Sequence, residues 1–274
     1  MYDCILVRVS GEISLKSEQV KPRFVEKLAE NISKALNKER VRHRVEIGES
    51  RIFVYPDDYK KAVKRLIRVF GISSVSPCRI CHSSIEEMSS VACEMVKDIL
   101  DESKSFAVRA RKVGRHDFSL RAILEEVGAR VKKETNASVN LTSPDVEIFI
   151  ECRSRRTFIF LKKIRAVGGL PLGTGARANA VIRSARDLVA AWLVMRRGSA
   201  LNVYTTHEML GVVKKLKEWH VDQRMKIFVK DIGKSRYPIV SGELLRIEGS
   251  VVINPVVCLS ERCIRKIYNK IIAN

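Results

Sequence analysis

The first 77 residues switch between the two apolar periods of regular structure in an order that narrows the fold at once. CILVRV (4–9) is a continuous apolar run of strand length. Ser17 is placed to cap a helix in which Val20, Phe24, Leu28, Ile32 and Leu36 recur every four residues. Pro22 falls in its first turn, where the missing N–H is tolerated. HRVEI (43–47) and RIFVY (51–55) predict a hairpin around Gly48-Glu49-Ser50. Asp57 is then placed to cap a second helix, with Ala62, Val63, Leu66 and Ile67 on one face and Gly71 as its stop; ISSVSP (72–77) is the closing strand. The order β-α-β-β-α-β is that of a ferredoxin-like domain over 1–77. Lys60, Lys61, Lys64, Arg65 and Arg68 are expected on the outward side of the second helix, as a solvated face or, on a basic chain, as a phosphate track.

A second small α/β unit spans 78–164: a helix from Ser83, the strand FAVRAR (106–111), a polar turn, a helix over 119–134, and the paired strands DVEIFIE (145–151) and RTFIFLKK (156–163). It carries no nucleophile with a base beside it, but it gathers cations next to its turns: Arg109, Arg111, Lys112, Arg115, Arg155, Arg156, Lys162 and Lys163. Arg109 and Arg111 are two apart on a strand and so share a face. Two forked guanidiniums on one face suit adjacent phosphates, or else pair with surface carboxylates. Residues 164–178, IRAVGGLPLGTGARA, have four glycines, a proline and no apolar period, and read as a linker. Beyond them, strands near 180–182, 201–205, 226–229 and 251–254 alternate with helices near 187–197, 207–219 and 260–272, which predicts a small, mostly parallel sheet over 165–274.

The 274-residue chain has a net charge of +20, which is its strongest global property. The surplus divides as +6 over 1–77, +3 over 78–164 and +11 over 165–274. A surplus spread over the whole length suits a long polyanion better than a small acidic substrate. Lysine-rich surfaces also arise in heat-adapted proteins, but there glutamate rises with lysine, and here the acids lag. The longest apolar run, Leu188 to Met195, is too short to span a bilayer, and the N-terminus lacks the pattern of a secretory signal, so a cytoplasmic protein is expected. Seven scattered cysteines argue against a disulfide framework. Cys78-Arg79-Ile80-Cys81-His82 matches a haem-attachment pattern that belongs to exported proteins, and Cys258 with Cys263 lacks a zinc spacing; free thiols and no metal site are expected. Gly173-Thr174-Gly175 imitates a dinucleotide fingerprint, yet it precedes a strand instead of following one.

The stretch AVIRSARDLVAAWLVMRRG (180–198) has the layout of a nucleotide-binding unit: a short strand, a turn, then an apolar helix ending at Gly198. A phosphate in such a turn sits against bare backbone N–H groups, which is why the turn is usually glycine and serine. Here it reads Arg183-Ser184-Ala185-Arg186-Asp187. Together with Gly11-Glu12-Ile13-x-Leu15-Lys16, FAVRARKVGRHDFS, PDVEIFIECRSRRTFIF, GGLPLGT and VAAWLVMRRG, it resembles the tRNA 4-thiouridine sulfurtransferases. IVSGELLR (239–246) and VINPVVCLSERCIRKIYNKI resemble later parts of those proteins, so the likeness covers nearly the whole chain. The fold it implies is α/β with an α+β N-terminal part: a ferredoxin-like domain, a THUMP domain, then a Rossmann-like sheet of PP-loop type.

The departures from that family fall on its chemistry. The family's loop reads Ser-Gly-Gly-x-Asp-Ser before the helix, and the aligned residues here are Ile182, Arg183, Ser184, Ala185, Arg186 and Asp187. No position of the signature is kept in register, and side chains fill the space where ATP would meet backbone. Ser184 and Asp187 remain as a remnant of the nucleotide site, and neither Cys258 nor Cys263 matches the family's sulfur-carrying cysteine. The third unit, about 110 residues, is also short for that fold. The expectation is a tRNA-binding member that has lost ATP-dependent adenylation, with no catalytic residue and no cofactor. Its RNA contacts would be Lys16, Arg23, Arg183 and Arg186 together with the cations of the middle unit. The implied partner is tRNA, docked through its acceptor stem and 3′ end, with a tRNA-modifying enzyme and a second copy of the chain as further candidates. The other reading is an active sulfurtransferase that uses a partner subunit or an unorthodox ATP loop; only there does ATP enter.

Overall fold

The structure is a computed structural model that describes residues 2–221 and 225–273. Strand β1 (Cys4–Val9) leads through a short helix α1 (Gly11–Ser14) into α2 (Lys21–Lys38), the hairpin β2 (His43–Ile47) and β3 (Ile52–Pro56), helix α3 (Tyr59–Leu66) and strand β4 (Ile72–His82). The expected β-α-β-β-α-β order holds, with α1 as an added turn of helix. Alternation in β1 and β3 sends Ile5, Val7, Ile52 and Val54 against Leu28, Ile32 and Leu36 of α2. Both caps differ from expectation, by three residues at α2, where Val20 is the cap residue, and by one at α3. The carbonyl of Ser17 accepts from the N–H groups of Val20 and Lys21, so Ser17 opens a turn ahead of α2 and does not cap it. Asp58, not Asp57, caps α3 by accepting from the Lys61 N–H at 3.0 Å, because Asp57 is held back by its N–H on the Arg42 carbonyl.

The second unit contains α4 (Ile85–Val96), β5 (Ser105–Val113), α5 (Leu120–Thr135), β6 (Ser138–Val139), β7 (Val146–Arg153), β8 (Arg156–Phe160) and β9 (Ile164–Arg165). It is not a separate sheet. Strand β4, expected to stop at Pro77, runs on to His82 and joins both units into one nine-stranded sheet, ordered β2-β3-β1-β4-β8-β7-β5-β6, with β9 also on β4. Pro77 does not break the strand because of where its missing N–H would point. The Cys78 carbonyl accepts from Asp3 on the β1 side, so Pro77 faces the other edge. That edge is covered by β8 at Arg79–His82 and by β9 at Ser74–Val75, and residues 76–78 lie in the gap between them.

The third unit contains β10 (Ala178–Ile182), α6 (Ala185–Arg196), β11 (Leu201–Thr205), α7 (Leu210–Trp219), β12 (Ile227–Val229), β13 (Ile239–Val240), β14 (Val252–Ile253) and α8 (Glu261–Ile272). Its five strands are all parallel, in the order β12-β11-β10-β13-β14. β13 was missed in the sequence, since two residues carry no period. No described helix is long and apolar enough to cross a membrane.

The glycine-rich segment before β10 is a clamp. Gly168 N–H donates to the Ile72 carbonyl at 2.7 Å, Leu170 N–H donates to that of Arg196 at 2.9 Å, and Ser10 Oγ donates to that of Gly169 at 2.6 Å. One end of the segment is thus tied to the first unit and the other to α6. Phe70 meets Trp192 and Trp219 edge-on or tilted, with centroids 5.6 and 5.9 Å apart, and the cores of the first and third units merge into one cluster. Gly169 has φ +82°, and a Cβ there would lie 2.3 Å from the Arg196 carbonyl oxygen. Gly169→Ala is expected to destabilise the protein by about 2 kcal/mol or more in urea unfolding. A change within a few tenths of a kcal/mol would show that the clamp adapts freely.

Candidate nucleic-acid interface

Alternation along the nine-stranded sheet leaves one face to the helices and one without them. The second face holds Cys4, Leu6, Phe53, Cys78, Phe158 and Phe160 as a buried strip, with Tyr55, Ile80 and Phe149 beside it. Its roof is made of cations. Arg156 lies over Phe53 and Phe158, Arg8 over Phe160, Lys163 over Phe149 and Arg44 over Tyr55, at 3.9–5.8 Å from the ring centroids. The aromatic rings are therefore covered, and what the face presents to a partner is charge.

Glu151 sits at the centre of this face with only 5% of its side chain exposed, within 3.7 Å of Arg8, 3.0 Å of Arg51 and 2.7 Å of Arg153. Burial alone would raise the Glu151 pKa, but the three guanidiniums outweigh it and hold the carboxyl below its ordinary value. Burial pulls Arg8 down to about 10, against the opposing attraction of Glu151. One carboxylate thus holds several arginines in fixed positions without neutralising them. Between the β2–β3 and β7–β8 turns a groove of about 380 Å³ is lined by Gly48, Arg51, Phe53, Arg153, Arg155 and Arg156. Arg156 also bonds Glu46, and that contact holds the Glu46 carboxyl below its usual value.

The residues singled out in the sequence fall in four places. Arg109, Arg111, Arg155, Arg156 and Lys163 share the open face, since β5 and β7 are in register with Arg109 opposite Phe149 and Arg111 opposite Glu151. Lys162 is exposed just beyond β8. Arg109 is tied to Glu147 at 3.0 Å and to the Leu141 carbonyl at 2.6 Å. Lys112, near the end of β5, donates to the Phe118 carbonyl, and Arg115 is exposed in the turn that follows. Lys16 and Arg23 are exposed around the start of α2, away from the strip. Arg183 and Arg186 flank the turn between β10 and α6, where Arg183 bonds Asp231 at 2.6 Å and Arg186 bonds Glu261. Arg8, Arg44, Arg51 and Arg153 were missed. Alternation in β1 already put Arg8 on the face of Cys4 and Leu6, but only the joined sheet brings it to Glu151.

At the parallel sheet, the connection order reverses between β10 and β13, the position at which such sheets open a ligand crevice. Here a buried carboxylate lies beside that position. Asp187 is 2% exposed. Its Oδ2 accepts from the N–H groups of Arg183 and Ser184 at 3.0 and 3.1 Å and from Ser184 Oγ at 3.2 Å. Its Oδ1 accepts from Ser241 Oγ at 2.8 Å and from the Gly242 N–H at 2.6 Å. Gly242 is pressed so close that a Cβ would lie 2.3 Å from the Arg186 carbonyl carbon. The N–H groups of Arg183 and Ser184, just ahead of α6, and of Gly242 are thereby turned onto a carboxylate of the protein itself, and Ser184 Oγ accepts from the Asp187 N–H to complete a capping box.

Residues 4–76 match the model of the ThiI ferredoxin-like domain, and residues 82–162 match the THUMP domain. A probable tRNA sulfurtransferase of Thermococcus kodakarensis is 31% identical over 268 residues, covering 88% of this chain and 70% of that protein. This chain belongs to the tRNA sulfurtransferase family. The probable tRNA sulfurtransferase of Methanobrevibacter smithii is 36% identical over 203 residues, 72% of this chain and 52% of its own length. The chain thus spans about half the length of curated relatives of this kind. PH1313 from Pyrococcus horikoshii superposes with a TM-score of 0.85 at 25% identity, covering 98% of this chain and 99% of that one. A 4-thiouridine synthetase–RNA complex with bound ATP superposes with a TM-score of 0.71 at 24% identity, over 83% of this chain and 61% of that one, a likeness of fold.

In this family member the open face spans the ferredoxin-like and THUMP domains, and three carboxylates, Glu46, Glu147 and Glu151, fix its charge geometry. Glu151→Gln leaves three arginines without their counterion and is expected to cost about 3 kcal/mol at pH 7. Because the folded carboxyl titrates below its unfolded value of about 4.3, its contribution is complete above that pH and is lost as pH falls through the lower folded value. The margin between wild type and Glu151→Gln should therefore close below about pH 4 in denaturant titrations. A margin that persists in acid would rule out charge as its origin. Asp187→Asn turns an amide N–H₂ onto donors and should lower stability by about 2–4 kcal/mol, measured in the same way.

Proposed function

We propose that this chain is a tRNA-binding protein of the tRNA sulfurtransferase family that does not adenylate RNA on its own, and that it serves tRNA modification as a binding or helper protein. The observation that carries the second half is Asp187: the backbone donors at the switch point already hold a buried carboxylate. A nucleotide phosphate would have to displace that carboxylate and then lie beside it. Arg183 and Arg186 flank the β10–α6 turn, each paired with an exposed acid, Asp231 and Glu261.

The RNA half rests on the THUMP domain, the chain's charge of +20 and the arginine-roofed face. Because the rings beneath are buried, recognition works through backbone phosphates and helix shape rather than base stacking. In this reading tRNA docks through its acceptor stem and 3′ end, as the family resemblance implies, with the parallel-sheet domain as an additional basic contact.

Two measurements decide the matter. Affinity for tRNA, followed by fluorescence anisotropy, should fall with a log–log salt slope of about −4 to −5, the value for about five phosphate contacts. The double variant Arg109→Glu/Arg111→Glu should weaken it at least about tenfold; unchanged affinity removes the THUMP face from the interface. The purified protein with ATP, magnesium and tRNA should give no pyrophosphate exchange above background. Robust exchange would overturn the non-catalytic reading while leaving RNA binding intact.

A further inference from the structure

Helix α3 does not present all its cations to solvent. Lys61 and Lys64 are exposed, as the sequence suggested, but Arg65 is turned in, with only 5% of its side chain exposed. It faces a cleft between the ferredoxin-like domain and α7, formed by two adjoining pockets of about 290 and 410 Å³ that share Glu39, Arg65, Arg68 and Glu218. Lys61 and Lys64 rim it on one side, Lys214 and Lys217 on the other. The nearest acid to Arg65 is Glu39, whose Oε1 is 3.7 Å from Nε, and Arg65 Nη2 is fully buried without a hydrogen-bond partner.

That arrangement costs stability as it stands. Basic residues gather at helix C-termini because the helix dipole favours them, and Arg65 and Lys217 lie in the last turns of α3 and α7. The dipole accounts for exposed lysines. It does not account for a guanidinium taken out of water with one fork unpaired, which burial alone pushes below its ordinary pKa. A tetrahedral oxyanion in the cleft would add negative charge beside Arg65 beyond what Glu39 supplies at 3.7 Å, and the lysines on both rims would share it.

We propose that this interdomain cleft binds a phosphoryl group, with Arg65 as its buried anchor and the α3 and α7 lysines as its rim. The site lies on the helix side of the sheet and uses neither the arginine-roofed face nor the β10–α6 turn. The phosphoryl group comes either from a free polyphosphate or from an RNA backbone, and the test has an arm for each.

Tripolyphosphate is titrated into the full chain by calorimetry, with sodium chloride at matched ionic strength as the control. The expected result is saturable 1:1 binding, weakened at least about tenfold in Arg65→Met. Without ligand, Arg65→Met should be as stable as wild type or more so, because it removes a buried guanidinium whose Nη2 has no hydrogen-bond partner, while Glu39 is half-exposed and can be solvated. Lys64→Glu/Lys217→Glu, at exposed positions, should weaken tripolyphosphate binding by a similar factor and gives the answer if Arg65→Met does not fold. In the second arm, tripolyphosphate competes with labelled tRNA. Competition that is lost in Arg65→Met assigns the site to an RNA phosphate, whereas tripolyphosphate binding with no effect on tRNA assigns it to a free polyphosphate. Either outcome stands even if the open sheet face proves not to bind RNA. Tripolyphosphate binding that is absent, or equal in wild type and both variants, overturns the proposal.

Discussion

Strand β4 carries the architecture, because its backbone is hydrogen-bonded along two different partners. Residues 72–78 pair with β1 of the ferredoxin-like domain, and Arg79–His82 pair with β8 of the THUMP domain. Side chains alternate along one uninterrupted strand, so the helix-facing sides of both domains are forced onto the same side of the sheet. The opposite side is then one surface, and its residues come from both domains. Glu151 with Arg8, Arg51 and Arg153 exists only because of that ladder. Had the strand ended at Pro77, the two halves of the cluster would be free to turn apart.

The second constraint is the clamp at 168–172, which fixes the third domain to the first. Its carbonyls and N–H groups are bonded to Ser10, Gly71, Ile72 and Arg196 rather than to water. A glycine-rich stretch usually serves as a flexible tether, but here it is ordered by those bonds and by the Phe70, Trp192 and Trp219 packing beside it. The docking has a consequence for charge: it sets the lysines of α7 across a cleft from Arg65, between domains that are each basic on their own.

Two opposite solutions to the same electrostatic problem sit in one chain. At the switch point, backbone donors converge and the protein supplies the anion itself, in Asp187. In the interdomain cleft, cations outnumber the two acids, Glu39 and Glu218, and the buried Arg65 has Glu39 at 3.7 Å. A filled donor nest resists a ligand because binding must first break hydrogen bonds worth about 1.5–3 kcal/mol each when charged. An unfilled one favours a ligand, because the cost of burying the charge has already been met in folding.

Much of this was readable from residue order. Apolar periods gave the ferredoxin-like order, the paired strands of the THUMP domain and most of the parallel sheet. The turn Arg183-Ser184-Ala185-Arg186-Asp187, with no glycine in it, marked the place where Asp187 takes up backbone donors. Those are local properties, set by side-chain spacing and by the absence of glycine. The sequence could not show that Pro77 lies opposite a gap, that Arg8 and Glu151 meet across 143 positions, or that Asp187 reaches Ser241 and Gly242. Each depends on which strand edges meet and how two domains dock. Strand pairing and docking are settled by long-range packing of whole elements, and a period read along the chain carries no information about them. Sequence alone therefore determined the elements and the charge, while tertiary structure decided which charges are paired, which are exposed and which is left waiting for an anion.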